Sequence, residues 1–117
     1  MFPKVINFSV LSATGAAASV YVPVPSRCTV LDCQASPNAD PGDAETITLA
    51  SGSDTLGVLT FGSTIAAGAT GTYVKDTSTG ETIVAAEGVV KVTVSQCTAA
   101  ATFHGYIVID EYARTTQ

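Results

Sequence analysis

The chain has 117 residues, of which 46% are hydrophobic and only 13% charged, and its formal net charge is −5. This length predicts one domain, residues 1–117, that can bury a core without a metal or disulfide. Its five basic residues are scattered, whereas a nucleic-acid-binding surface clusters Lys and Arg to displace counterions. Composition therefore argues against nucleic-acid binding.

The low charged fraction is itself informative, because soluble proteins usually carry about one quarter charged residues. Small residues such as Ser, Thr, Ala and Gly replace the missing charges. A monomer normally keeps a charged surface for solubility, so the composition favours a protein that covers part of its surface with copies or a partner. A plain Thr-rich β protein is the alternative.

The N-terminal sequence MFPKVINFSV lacks the charged and apolar regions of a signal peptide. No apolar run approaches the ~18 residues of a membrane span. We therefore expect a protein made in the cytoplasm, not secreted by a signal peptide, with no membrane partner. Met1–Lys4 is a candidate arm toward a neighbouring molecule, or alternatively a frayed terminus.

Alternating apolar and polar residues, typical of half-buried strands, recur along the chain. The predicted strands before the final region are Lys4–Ser12, Ser19–Val24, Arg27–Ser36, Ala44–Ala50, Thr55–Phe61 and Thr72–Lys75. Pro23 cannot donate a ladder hydrogen bond, so its strand is expected at a sheet edge or ends there. Ile47 and Leu49 are predicted to face inward, and Ile65 to anchor the loop Gly62–Gly71.

Turn-forming residues separate these strands. Pro37–Asp43 is the strongest loop signal, and Ser51–Asp54 predicts a hairpin turn between the fourth and fifth strands. Glu81–Glu87 fits either a short strand or one helical turn.

The clearest alternation lies in the C-terminal region Gly88–Tyr112. One face is predicted to be buried, and it comprises Val90, Val92, Val94, Phe103, Gly105, Ile107 and Ile109. Gln96–Ala101 looks like a loop, so the two segments predict a long antiparallel hairpin. About eight short strands without a convincing amphipathic helix predict an all-β fold, an antiparallel β-sandwich that is jelly-roll-like.

The three cysteines do not suggest a disulfide framework, because their number is odd. Strict alternation in the third strand puts Cys33 with Leu31 and Ala35 on one face, and Cys28 with Val30 and Asp32 on the other. Direct pairing of Cys28 with Cys33 is therefore excluded, and we expect all three thiols to be reduced. A bridge from Cys97 to one of the other two is the alternative.

Candidate chemical sites are few. A Cys3His zinc site would need Cys28, Cys33, Cys97 and His104, but no CxxC pair is present. His104 lies six residues from Asp110 on one strand, too far for a Ser–His–Asp triad along that strand. We interpret His104 as a solvent-face or interface residue, predict no catalytic, cofactor or metal site, and expect no enzyme.

The loop around residues 38–45 offers oxygen ligands of the kind that calcium prefers. They are Asn38, Asp40, Asp43 and Glu45. The spacing does not match an EF-hand, and Asp and Asn are common in turns for conformational reasons. Whether the loop of Asp40 and Asp43 binds calcium is left open.

Three stretches resemble the small decoration, or cement, proteins of tailed bacteriophage capsids: ETITLASGSDTLGVLTFG, STIAAGATGTYV and EGVVKVTVSQ with TFHGYIVIDEY. The resemblance covers most of the chain from about Ala44 and is one of style, without a diagnostic motif. It implies a non-enzymatic structural protein of the virion, bound to the major capsid protein on the outer capsid surface and stabilising the shell. Such proteins are commonly homotrimers at three-fold positions.

A second interpretation stays open. The chain could be another virion or surface binding module, such as a head-fibre base, a tail component or a carbohydrate-binding β-sandwich. Sugar binding would need exposed aromatics to form a platform, for which Tyr21, Tyr73 and Tyr106 are the candidates.

Overall fold

A computed structural model of the chain describes residues 2–12, 17–24, 27–42, 46–62, 65–76, 84, 88–95 and 99–111. These residues form eight strands and no helix. The strands are β1 (Phe2–Ser12), β2 (Ala18–Pro23), β3 (Cys28–Pro37), β4 (Thr46–Ser51), β5 (Asp54–Thr60), β6 (Thr72–Lys75), β7 (Val89–Val94) and β8 (Ala101–Glu111). The all-β prediction is confirmed.

The strands form two antiparallel sheets, of order β1-β8-β3 and β2-β7-β4-β5-β6. The sheets pack face to face around one hydrophobic core, as a β-sandwich. The pairs β1–β8, β2–β7 and β4–β5 are those made when one long antiparallel hairpin rolls up into a jelly roll. The fold is therefore a jelly-roll-like sandwich.

The predicted pairing of the two C-terminal segments is wrong. β7 pairs with β2 and β4 in the five-stranded sheet, whereas β8 pairs with β1 and β3 in the three-stranded sheet. The two strands therefore lie in opposite sheets and not side by side. Alternation shows which face of a strand is buried, but it does not show which strand lies beside it, because the same face can be buried with either partner.

The predicted core positions on these two strands are confirmed, except that Gly105 is only half-buried. Val92, Val94, Ile107 and Ile109 are all buried, and Phe103 packs its ring against Phe61 at a centroid distance of 5.6 Å. Ile47 and Leu49 also face inward, and Ile65 anchors its loop in the core. One contiguous core thus joins residues from both sheets.

The predicted faces of β3 are wrong in their first half because of a β-bulge. The register with β8 shifts between Val30 and Asp32, so Leu31 is an extra residue and is exposed. An extra residue reverses the alternation, and Cys28 therefore shares the buried face with Cys33. On β8, Glu111 pairs with Cys28 and Ile107 pairs with Cys33. These partners are four residues apart, about 13 Å at ~3.3 Å per residue, so a direct disulfide between the two cysteines is still excluded.

The predicted N-terminal arm is part of a strand. Residues Phe2–Lys4 of the predicted N-terminal arm belong to β1, and Lys4 Nζ forms an ion pair with Glu111 Oε1 at 3.2 Å, so they are not a free arm.

β2 ends at Pro23 and is an edge strand, as predicted. Gly52, with φ of 62°, lies in the β4–β5 turn, where a left-handed conformation favours glycine. Of Glu81–Glu87, only Val84 is described, bridged to Cys28.

The two long sides of the sandwich differ. On one side, Gln34 of β3 reaches across to Gly71, just before β6: its Nε2 donates to the Gly71 carbonyl and its Oε1 accepts from the Gly71 N–H, both at 2.9 Å. Side-chain hydrogen bonds thus join the two sheets there. On the other side, the edge strands β1 and β2 are separated by an open groove. Among the residues that the structure describes, the sandwich is therefore open along β1.

Candidate functional site

The outer face of the three-stranded sheet carries a row of apolar side chains. Val5, Val108 and the bulged Leu31 lie in this row across its three strands, and Tyr106 lies two residues before Val108 on β8. Val5 is 62% exposed and Leu31 is 42% exposed. No Lys or Arg lies among the described strand residues of this face, and its charged residues are two aspartates, one on β3 and one on β8. An exposed apolar row of this kind is typical of a contact region.

His104 lies on this outer face, as the sequence predicts, in direct register with Ser9 of β1. Ser9 Oγ and His104 Nδ1 are hydrogen-bonded at 2.7 Å on the exposed surface. Asp110 lies six residues further along the same strand, about 20 Å away, and its Oδ1 is buried without a hydrogen-bond partner among the described residues. The Ser–His pair thus has no acid from Asp110 to orient it, and it is interpreted as a cross-strand contact.

The described cysteines are buried thiols. Burial, with a smaller contribution from Asp32, raises the pKa of Cys33 to about 12, and burial together with Glu111 also raises the pKa of Cys28. Both thiols therefore stay protonated near neutral pH, where only the thiolate is a good nucleophile or metal ligand. Both lie on the inner face, opposite to His104, which rules out a shared zinc ion.

We expect a thiol titration to find three reactive thiols in the denatured, unreduced protein, and no reaction of Cys28 or Cys33 while the protein is folded. The reason is that both are free and buried. Cys97, the third thiol, lies outside the described residues. A single free thiol after denaturation would contradict the expectation and indicate a bridge to Cys97.

The candidate calcium loop is only partly described, because Asp43 and Glu45 lie outside the described residues. The Oδ1 atom of Asn38 accepts a hydrogen bond from the Thr102 N–H at 2.9 Å, and that of Asp40 accepts one from the Gly42 N–H at 2.8 Å. Both oxygens thus serve turn and loop conformation. In the part of the chain that the structure describes, no three His, Cys, Asp or Glu side chains come together as metal ligands.

The three tyrosines proposed for a sugar platform face different directions. Tyr106 lies on the outer face of the three-stranded sheet, and exposed Tyr21 lies on the outer face of the other sheet, with Lys91 Nζ 5.9 Å from its ring centroid. Tyr73 faces inward, opposite Leu59, and burial raises its pKa to about 12. They do not form one aromatic surface.

The outer face of the five-stranded sheet carries a row of hydroxyl groups. Thr46, Thr48 and Thr93 are half-buried there, and Ser19 Oγ is hydrogen-bonded to Thr93 Oγ1 at 2.9 Å. Small uncharged residues thus occupy an outer face on which a monomer usually carries Lys or Glu. Low charge is thus a property of both outer faces.

An open groove of about 300 Å³ separates β1 from β2. Its walls are Ile6–Ser9 on one side and Val20–Pro23 on the other, and none of these residues is charged. Phe8 and Val22 lie at its base, where the core begins. Sequence alternation indicated the inward-facing residues, but the existence of the groove follows from which strands form the edges of the sheets.

The chain matches no protein-family model, no curated protein and no solved structure. None of the described segments forms a helix with the length and apolarity that a membrane crossing requires.

Proposed function

We propose that this chain is a non-enzymatic structural protein of a virion, which binds the outer surface of a bacteriophage capsid through the major capsid protein and stabilises the shell. The observation that carries the proposal is the jelly-roll-like sandwich whose three-stranded sheet presents an exposed apolar row on its outer face, with no Lys or Arg among the described strand residues of that face. The resemblance of the hairpin, glycine-alanine loop and C-terminal stretches to capsid decoration proteins supports it.

The physical requirements of such a protein fit this molecule. A protein that reinforces a shell needs a rigid body and a large adhesive surface, and it needs no catalytic cleft. The long β1–β8 ladder and the contiguous core supply rigidity, and the apolar row of the outer face supplies contacts that need the desolvation of few charges. The exposed Ser9–His104 pair and the buried thiols offer no comparable support for an enzyme.

We further propose that the protein is a homotrimer, because the low charge of both outer faces leaves surface to be covered and a capsid offers three-fold positions. Three weak contacts made by one trimer would act together as a multivalent attachment. Closed symmetry would cover the same surface on each copy.

Light scattering at micromolar concentration should therefore give a mass of about three times 11.8 kDa. Sedimentation velocity provides an independent measurement of the same quantity. A stable monomer of 11.8 kDa would refute the trimer and leave the capsid role to stand on the sheet face and the resemblance alone.

Co-sedimentation with intact capsids tests the role of the outer face. Leu31→Lys places a charge on the bulge of that face, and we expect it to reduce capsid binding at least about tenfold, a loss of ~1.4 kcal/mol. Val89→Lys is the matched control, since Val89 is 40% exposed and Leu31 42%, but Val89 lies on the other sheet. Equal binding by both variants would contradict the assignment of this face.

A further inference from the structure

The backbone of β1 turns half of its hydrogen-bonding groups toward the open side of the sandwich. Thr102 of β8 bonds toward β3, because its N–H donates to Asn38 and its carbonyl accepts from Asn38. At the other end of β8, Cys28 directs its N–H and carbonyl to Val84, so the Cys28–Glu111 pair is not hydrogen-bonded. The hydrogen bonds at both ends of β8 therefore agree. The backbone N–H and carbonyl groups of Glu111, and of every second residue of β8 before it, point toward β1.

Because the β1–β8 register is unbroken, the direction of the backbone hydrogen bonds of β8 also gives the direction of those of β1. Its even-numbered residues bond to β8, so the N–H and carbonyl groups of its odd-numbered residues point to the open edge. These residues are Val5, Asn7, Ser9 and Leu11, and we call their outward-pointing backbone groups the β1 edge. No backbone partner for it occurs among the described residues.

The β1 edge also lacks the features by which proteins keep strand edges from pairing. The other edge strands have them: β2 has Pro23, β3 has a bulge and the Gln34 bonds to Gly71, and β6 is only four residues long. In β1, Pro3 and Lys4 lie at the start, and residues 5–12 contain no charge, no proline and no bulge. A long, uncharged edge without proline or bulge is a template for another strand.

We propose that the β1 edge is an interface between copies, in which β1 pairs antiparallel with β1 of a second copy about a two-fold axis at Phe8. A second copy of β1 is the partner we infer, because apolar and polar residues follow the same order on both sides of Phe8. In this register Val5 lies opposite Leu11 and Asn7 opposite Ser9 on the outer face. Ile6 lies opposite Val10 on the inner face, so apolar residues meet apolar ones and polar residues meet polar ones.

Neighbouring registers lack this match. A shift by two residues in one direction puts Val5 opposite Ser9, and a shift in the other direction puts Asn7 opposite Leu11. Because register is set by the match of side chains on each face, the Phe8-centred pairing is the favoured one. It forms four pairs with two hydrogen bonds each, or about eight hydrogen bonds.

The pairing also accounts for apolar residues that the isolated chain leaves exposed. Val5 and Leu11 are 62% and 64% exposed, and each would contact the other across the new strand pair. The three-stranded sheets of two copies would join into one continuous sheet of six strands. The half-buried Ile6, in the wall of the groove, would lie beside Val10 of the second copy.

This contact goes beyond the proposed function and agrees with its symmetry. A strand that pairs with itself makes an isologous contact, which requires a two-fold axis. Neighbouring three-fold positions on an icosahedral shell are related by two-fold or quasi-two-fold axes. The β1 edge would thus join adjacent trimers on the shell, a contact separate from the one that holds each trimer together.

Disulfide trapping tests the register directly. Asn7→Cys and Ser9→Cys are prepared as separate proteins, mixed at high concentration and oxidised mildly, and the cross-links are identified by mass spectrometry. A hydrogen-bonded antiparallel pair has a Cα separation of about 5.5 Å, within the range of a disulfide. We expect a 7–9 cross-link in the mixture and none in either variant alone, with the unmutated chain reporting background from its own cysteines.

A 7–7 or 9–9 cross-link would overturn the register, and the absence of all three would overturn the interface. Hydrogen exchange on the unmutated chain guards against misfolded variants: the amides of Val5, Asn7, Ser9 and Leu11 should become protected as concentration rises. Unchanged exchange would also overturn the interface. Neither measurement involves a capsid, so loss of capsid binding would remove only the proposed function.

Discussion

Ile107→Ala should destabilise the protein by ~2–5 kcal/mol, because it removes buried methyl and methylene groups and leaves a cavity in a packed core. Ile107 is buried in β8, the central strand of the three-stranded sheet, so strands on both sides restrict relaxation into the cavity. Urea unfolding followed by far-ultraviolet circular dichroism measures the change in the free energy of unfolding.

Val108→Ala is the matched control for this variant. Val108 is the next residue on the same strand, but it is only half-buried and lies on the outer face. Its truncation should cost less than about 1 kcal/mol. A loss of unfolding free energy below about 0.5 kcal/mol for Ile107→Ala would contradict the assignment of the two faces. A loss for Val108→Ala that exceeds the loss for Ile107→Ala would also contradict it.

Gly105→Ala should also be strongly destabilising, by ~1–3 kcal/mol or more, for the opposite reason of excess volume. A Cβ atom at this position would lie 2.7 Å from Ala35 Cβ and 2.9 Å from Ala35 Cα on the neighbouring strand. It would also meet the Gln34 carbonyl oxygen, so backbone as well as side chain would have to move. The strand pair that contains Gln34 would separate, and thermal unfolding should show a lowered midpoint.

Gly62→Ala provides the control for Gly105→Ala. No atom lies within 4 Å of a Cβ placed at Gly62, and the residue is exposed. We expect its midpoint to stay near that of the unmutated chain, since neither space nor burial opposes the methyl group. If Gly105→Ala unfolds at the same temperature as Gly62→Ala, the close approach of β3 and β8 is not a constraint.

Local sequence was sufficient to predict which residues of β7 and β8 are buried. Val92 belongs to a run in which apolar and polar residues alternate, and Ile107 and Ile109 lie two residues apart among residues suited to strands, so the periodicity of two survives in the fold. The β4–β5 hairpin was predictable because Gly52 lies between two apolar-rich segments and supplies the left-handed turn residue.

The bulge at Leu31 and the partners of each strand could not be predicted in this way. A bulge is defined by how β3 pairs with Val108 and its neighbours, which are far away in the chain. The same is true of the separation of β7 from β8, because the pattern of one strand does not say which strand lies beside it. These long-range pairings determine the edges of the sheets.

The candidate surfaces depend on those edges. Alternation places Val5 and Leu11 on the outer face of β1, away from the inward-facing Ile6, Phe8 and Val10. It does not indicate that β1 lacks a neighbouring strand on one side among the described residues. The sheet order makes β1 an edge, and the register with β8 gives the direction of its N–H groups. Sequence thus predicted the faces, whereas the exposed edge emerged from topology.

Electron cryomicroscopy of capsids mixed with the purified protein is the most direct test of the proposed role. Under the proposed function the chain is encoded by a phage, whose capsids are prepared without this protein. We expect added density on the outer surface, in groups of three sandwiches at three-fold or quasi-three-fold positions, with the three-stranded sheet against the shell. Capsids that stay bare, or that bind the protein at irregular positions, would contradict it.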